Sequence, residues 1–200
     1  MRLAMRKQQG PRPARFPTDR RIMLHVGCGK RDSGLLPSEL LTPEWFEVRL
    51  DIDPEVAPDI VADMIDMPEI GTATVDGIWS SHNLEHVFAY QVPLVLREFF
   101  RVLRPGGTAH VQVPDITVPA KAAAHGRLET PLYTSMAGPI TALDMLFGYG
   151  PAIAQGEHFM AHRTAFTRAT ISDKFKAAGF ANVRVVARDN ALWTTANRPS

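Results

Sequence analysis

Three groups of residues in this 200-residue chain have types and spacings that could do chemistry. The first is Gly27-Cys28-Gly29-Lys30-Arg31-Asp32, where glycines at i and i+2 let the backbone turn sharply and approach a ligand closely. A dinucleotide fingerprint would carry a third glycine three residues after Gly29, where Asp32 stands and would repel a pyrophosphate. The second is Asp51, placed 22 residues after Gly29, the spacing at which an acid accepts both hydroxyls of a ribose. Together they point to a nucleoside ligand without phosphates.

The histidines form the third group. His82-Asn83-Leu84-Glu85-His86 fits His-x-x-Glu-His, a zinc-hydrolase pattern when both histidines share one helix face. His158 and His162 repeat the i, i+4 spacing and could complete such a site. A zinc hydrolase gives no reason for the glycine loop, Asp51 or Asp63, so the residues predict no metal. That hydrolase, through His82, Glu85 and His86, stays as an alternative. Glu85 and His86 otherwise read as a helix-face pair that supports the loop. His82 sits nearer the end of a strand and is the natural general base near neutral pH. Asp115, His158 and His162 are candidates on the acceptor side. Cys28 lies in a plausible loop for a nucleophile, but a small side chain is what the backbone approach already requires, and no histidine neighbours it in sequence. Met136, Met145 and Met160 read as gap-filling core or pocket residues, and Trp45, Trp79 and Trp193 as core.

Strands alternating with helices must position these groups. Ile22 to Val26 is a short apolar run ending at Gly27, as a buried parallel strand would. Glu47 to Ile52, Ile60 to Ala62 and Gly77 to Ser80 read as the next three strands. Val92, Val95, Leu96, Phe99, Phe100 and Leu103 mark one face of a helix with Pro93 in its first turn. Arg104-Pro105-Gly106-Gly107 predicts a stop and a turn into a fifth strand at 108–113. Residues 116–160 read as irregular and as a substrate cap. A helix follows over roughly 167–178, a stop at Gly179, and strands near 182–187 and 191–196. The expected fold is α/β, a doubly wound, mostly parallel, seven-stranded sheet over residues 21–200. Its ligand crevice lies beyond the carboxyl ends of the strands.

Composition sets outer bounds. An apolar fraction of 45% with a formal net charge of +1 excludes a wholly disordered chain. No apolar run approaches the ~18 residues that span a bilayer, so a membrane protein is not expected. A single cysteine cannot form an internal disulfide, and the basic start has no apolar stretch behind it, so a reducing cytoplasm is the expected setting. Of the 22 bases, seven fall in residues 1–21 beside Asp19 alone, with Pro11, Pro13 and Pro17 among them. Residues 1–20 therefore read as a basic arm, solvated or partly docked, through which nucleic acid could be touched.

The ordered segments LHVGCGK, RLDIDP, DIVADM, SSHNLEHV and LREFFRVLRPGGTAHVQVPD resemble the class I S-adenosylmethionine-dependent methyltransferases. They span about residues 22–115, and HRTAFT through GFANVRV resembles that family's carboxyl-terminal strands. The resemblance implies S-adenosylmethionine as cofactor and a Rossmann-like fold. It implies that Gly27, Cys28 and Gly29 pass under the methionine part, that Asp51, with Ile52 beside it, holds the ribose, and that Asp63 and Met64 flank the adenine. It further implies that Ser81 and His82 border the sulfonium and the substrate. Two departures stand out: His25 and Arg31 occupy positions where the family commonly has an acid and a third glycine. Pro37 and Pro43 make the usual first helix short or broken. The expected activity is methyl transfer to an oxygen or nitrogen of a small or medium-sized molecule. A non-catalytic module that keeps the cofactor fold, or an RNA-directed enzyme using the arm, are the alternatives.

Overall fold

The computed structural model describes residues 14–31, 36–37, 40 and 42–200. The glycine position at Asp32, most of the expected first helix and the first thirteen residues of the arm lie outside the described residues.

Period-2 burial explains the first strand. In β1 (Arg21–Val26), Ile22, Leu24 and Val26 enter the larger core, while Met23 on the opposite face joins a smaller one with Leu36 and Trp79. Both faces are covered, which is why the run reads as continuously apolar. β2 (Trp45–Asp51) and β4 (Val75–Ser81) flank β1 in parallel, and the two-residue β3 (Ile60–Val61) pairs outside β2. α1 (Val92–Val102) starts with a proline in its first turn and buries Val92, Val95, Leu96, Phe99 and Val102. β5 (Leu103–Pro114) lies parallel to β4.

Arg104 to Gly107 do not form the expected turn. They continue β5 from the end of α1, and the register with β4 shifts between Val75 and Gly77, so the extra residues are absorbed as a bulge. Gly106, at φ +80°, takes the left-handed backbone there.

Residues 116–160 are not irregular. They hold α2 (Thr117–Ala124), a hairpin of β6 (Pro131–Ser135) and β7 (Gly138–Thr141), α3 (Ala142–Phe147) and α4 (Gly150–Ala154). The elements are short, so their periodicity is weak in sequence. Met136 sits at the hairpin tip, 92% exposed, and fills no core; Met145 is buried. α5 (Arg168–Ala177) follows, capped by Thr167, whose hydroxyl accepts from Thr170 N–H. β8 (Ala181–Arg188) and β9 (Ala191–Asn197) close the chain.

The sheet order is β3-β2-β1-β4-β5-β9-β8, parallel except that β9 runs antiparallel to both β5 and β8. This is the seven-stranded, doubly wound architecture expected. Order reverses between β1 and β4, so the ligand crevice opens at their carboxyl ends. The described part of the arm is not loose: Ala14 N–H donates to Glu69 O at 2.7 Å, and Phe16 packs on the main core. No helix among the described residues is long and apolar enough to cross a membrane.

Candidate active site

A pocket of about 500 Å³ occupies the switch point, a size typical of small-molecule sites. Its lining includes Gly27 and Gly29 after β1, Asp51 and Ile52 after β2, Asp63 and Met64 after β3, and Ser81 and His82 after β4. Eight of the expected cofactor residues therefore meet in one cavity.

The glycine loop is locked from below. Gly27 and Gly29 have φ of +63° and +58°, backbone that side chains rarely adopt. A Cβ on Gly27 would stand 2.0 Å from Asn83 Oδ1. Asn83 Nδ2 donates to Val26 O at 2.9 Å, Ser81 O at 3.0 Å and Ser80 Oγ at 3.2 Å, tying the loops after β1 and β4 together. Asp51 Oδ2 accepts Gly29 N–H at 2.9 Å, and Oδ1 accepts Asp53 N–H at 3.0 Å. Arg49, buried in β2, donates to Ala57 O at 3.0 Å and to Gly29 O. The glycine loop is thus tied to the end of β2 by Arg49 and Asp51.

His82 has φ +55°, a conformation costly for a residue with a side chain and met most often at functional sites. Its Nδ1 lies 3.3 Å from Oε1 of the fully buried Glu85, while 46% of its side chain remains exposed. Burial works against a charge on the ring, but the Glu85 carboxylate outweighs it and holds the His82 pKa above its ordinary value. Burial likewise opposes ionisation of Glu85, yet His82, His86 and His162 around it keep its carboxyl below the usual range. Glu85 and His86 do not sit on an α-helix. Leu84–His86 is a three-residue 3-10 turn, because His82 already departs from helical backbone and Val87 is extended. The helix face that a His-x-x-Glu-His metal site requires is absent here.

Four expected site residues do not line the large pocket. Cys28 is 1% exposed, and burial pushes its thiol up to about 11, an inert group rather than a nucleophile. Asp115 spends one oxygen on Thr117, accepting from its N–H at 2.9 Å and its hydroxyl at 2.8 Å in the turn that enters α2. His158 lies in a 3-10 turn, and His162 lines a small cleft behind Glu85. The residues that do complete the wall, Phe159, Met160 and Arg163, are near neighbours of those histidines. Asn83 carried no periodic signal. Arg49 did carry one, a charge in the middle of an apolar strand.

A family model described as "Methyltransferase domain" matches residues 24–111. The chain is similar to a SAM-dependent methyltransferase from Methanosarcina mazei, at 17% identity and TM-score 0.59, over 92% of this chain and 95% of that one. It is similar to a 1,6-didemethyltoxoflavin-N1-methyltransferase from Burkholderia thailandensis, solved with bound 1,6-didemethyltoxoflavin and S-adenosylhomocysteine, at 18% identity and TM-score 0.52, over 94% of this chain and 72% of that one. A possible exported protein from Bordetella parapertussis shares 18% identity at TM-score 0.57 over 95% of this chain, which spans only 63% of that protein's length. No curated protein sequence matches significantly. Residues 24–111 thus match the methyltransferase domain family, and the seven-stranded fold is that of solved S-adenosylmethionine-dependent methyltransferases. S-adenosylmethionine is the cofactor of that family.

Proposed function

We propose that this protein transfers a methyl group from S-adenosylmethionine to an oxygen or nitrogen of a small or medium-sized molecule. The observation that carries the reading is one 500 Å³ pocket with the Asp51 carboxylate and the glycine loop at one part of its wall and His82 at another. The donor set fits the cofactor. Each Asp51 oxygen accepts one backbone N–H and keeps a lone pair for a ribose hydroxyl. Asp63 and Met64 would flank the adenine, Ile52 the ribose, and Gly27 and Gly29 the methionine part.

Bound S-adenosylmethionine supplies an electrophilic methyl group on a sulfonium. The protein's task is then placement, and holding the acceptor in line is worth about 7–11 kcal/mol. Phe159 and Met160 give the wall an apolar surface for the acceptor, with Arg163 beside them. His82 takes the acceptor's proton as the new bond forms. Glu85, against Nδ1, steadies the imidazolium that results, in the manner of the carboxylate in a catalytic triad. A reducing cytoplasm suits the free, buried thiol of Cys28.

The test is calorimetric binding of S-adenosylhomocysteine together with methyl transfer from labelled cofactor to a panel of hydroxyl and amine acceptors. His82→Ala should lower turnover by about 10²-fold or more and leave cofactor affinity nearly unchanged. Absence of S-adenosylhomocysteine binding would defeat the proposal. Full turnover in His82→Ala would remove the base and leave orientation as the catalytic device.

A further inference from the structure

Behind His82, Glu85 belongs to a second constellation, with two histidines that methyl transfer does not use. Glu85 is 1% exposed, and among the described residues neither carboxylate oxygen has a well-aligned hydrogen-bond donor. His82 approaches Oε1 at 3.3 Å as an ion-pair contact without hydrogen-bond alignment, and Oε2 has no partner. A buried carboxylate left this bare is among the most costly arrangements a fold can hold. Something cationic would relieve it.

Two imidazoles are held in place to help. One donor atom from each of Glu85, His86 and His162 lies within 4.8 Å of the others, and the two rings meet edge to face with centroids 5.0 Å apart. His86 Nδ1 donates to Ala161 O at 3.2 Å, and His162 Nδ1 donates to Met145 O at 2.9 Å. Each ring is thereby fixed with its proton on Nδ1, which leaves the Nε2 lone pair free. A ring N–H on a backbone carbonyl is how proteins prepare an imidazole to ligate a metal. The backbones are fixed as well. Arg163 and Thr164 N–H both donate to Glu85 O, and His162 N–H donates to Phe147 O.

We propose that Glu85, His86 and His162 bind one divalent transition-metal ion, Zn²⁺ by preference. Two imidazole nitrogens and a carboxylate suit zinc and its neighbours; Mg²⁺ and Ca²⁺ ask for oxygen ligands. Bonds of about 2.0–2.2 Å require the donor atoms to draw closer than they stand here, a movement of side chains alone. His86 also lines the large pocket, which gives the ion an access path. This set differs from the one that the His-x-x-Glu-His spacing suggests. His82 drops out, and His162, distant in sequence, takes its place. The ion would clip the segment carrying Phe159, Met160 and Arg163 to the turn after β4, fixing one wall of the pocket.

The experiment uses the full chain, stripped with a chelator and dialysed against Zn²⁺, with metal content by elemental analysis and affinity by chelator competition. One equivalent should bind. His86→Ala and His162→Ala should each weaken binding by about 100-fold or more, beyond what loss of an outer partner brings. His125→Ala, at the exposed position just after α2, should bind as the parent does. Co²⁺ in place of Zn²⁺ should give the visible absorption of a four-coordinate nitrogen–oxygen site. Thermal melting of each metal-free variant confirms that it is folded. Substoichiometric zinc in the parent chain, or zinc that persists in both histidine variants, would overturn the proposal. S-adenosylhomocysteine binding on the metal-free chain keeps this outcome separate from the methyltransferase reading.

Discussion

Asp51→Ala separates a ribose-binding carboxylate from a merely structural one. In the parent, Asp51 accepts Gly29 N–H at 2.9 Å and Asp53 N–H at 3.0 Å, one on each oxygen. A carboxylate offers about four lone-pair positions, so two remain for the 2′- and 3′-hydroxyls. Hydrogen bonds to an ionised acceptor contribute about 1.5–3 kcal/mol each, so two of them set an upper range of about 3–6 kcal/mol. Water entering the gap returns part of this, while release of Gly29 N–H loosens the loop and adds to the loss. The expected penalty is about 3 kcal/mol, or about 100-fold in the Kd of S-adenosylhomocysteine. Asp53→Ala is the matched control. Its carboxylate also lines the pocket, yet its own bond goes to Glu55 N–H in a surface 3-10 turn. Its Kd should change less than about threefold, as for an ordinary surface substitution. Calorimetric titration decides between them, with thermal melting to show that both variants fold. Equal losses at both positions, or no loss at Asp51, would refute the assignment.

Other outcomes follow from the same contacts. Gly27→Ala forces a Cβ to within 2.0 Å of Asn83 Oδ1 at φ +63°, and should cost about 2 kcal/mol or more, lowering Tm by about 4–8 °C; an unchanged Tm in scanning calorimetry would contradict the locked loop. Arg101 bonds Glu98 at 2.6 and 2.7 Å and, against the effect of burial and with help from Met67 N–H, holds its carboxyl below the usual range. A depressed carboxylate pKa lends stability that is complete above its unfolded value and is lost as pH falls through the folded one, so Tm should drop from about pH 5 downward. Glu98→Gln should be less stable at neutral pH and show a shallower acid limb; parallel limbs would count against the pair. Removing residues 1–17 takes away the Ala14–Glu69 bond and the Phe16 contact and should lower Tm measurably in scanning calorimetry; an unchanged Tm would mean that these contacts do not hold the arm.

Strands β1 to β4 were legible because each is short and largely apolar, with candidate site residues at its carboxyl end. Asp51 and Gly27 could be placed from spacing alone, since both sit at strand ends that topology brings together. The 116–160 segment was not legible, because its helices run only five to eight residues and bury few apolar positions. Arg104 to Gly107 misled for a different reason. Proline and glycine usually end an element, but here they extend a strand through a bulge after the helix has already stopped. The histidines misled through distance. His162 reaches Glu85 by tertiary folding that no local spacing encodes, and the i, i+4 pattern pointed to His82 instead.

The antiparallel insertion of β9 between β5 and β8 orders events during folding. Strands β1 to β5 pair among themselves using residues 21–114, but the outer edge of β5 has no partner until β9 arrives, and Asn197 bonds Thr108 across 89 positions. Closing so long a loop is slow relative to forming nearby contacts. Residues 115–190 intervene and include Phe159, Met160 and Arg163 of the pocket wall, so an early half-sheet should form with an open edge, the arrangement most prone to pairing with another molecule. Pulse-labelled hydrogen exchange would find the β5–β9 amides protected later than those between β1 and β4; simultaneous protection would mean that the sheet closes in one step. If the delay is seen, substitutions in the β8–β9 hairpin will reduce the yield of folded protein while leaving untouched every residue that meets the ligand.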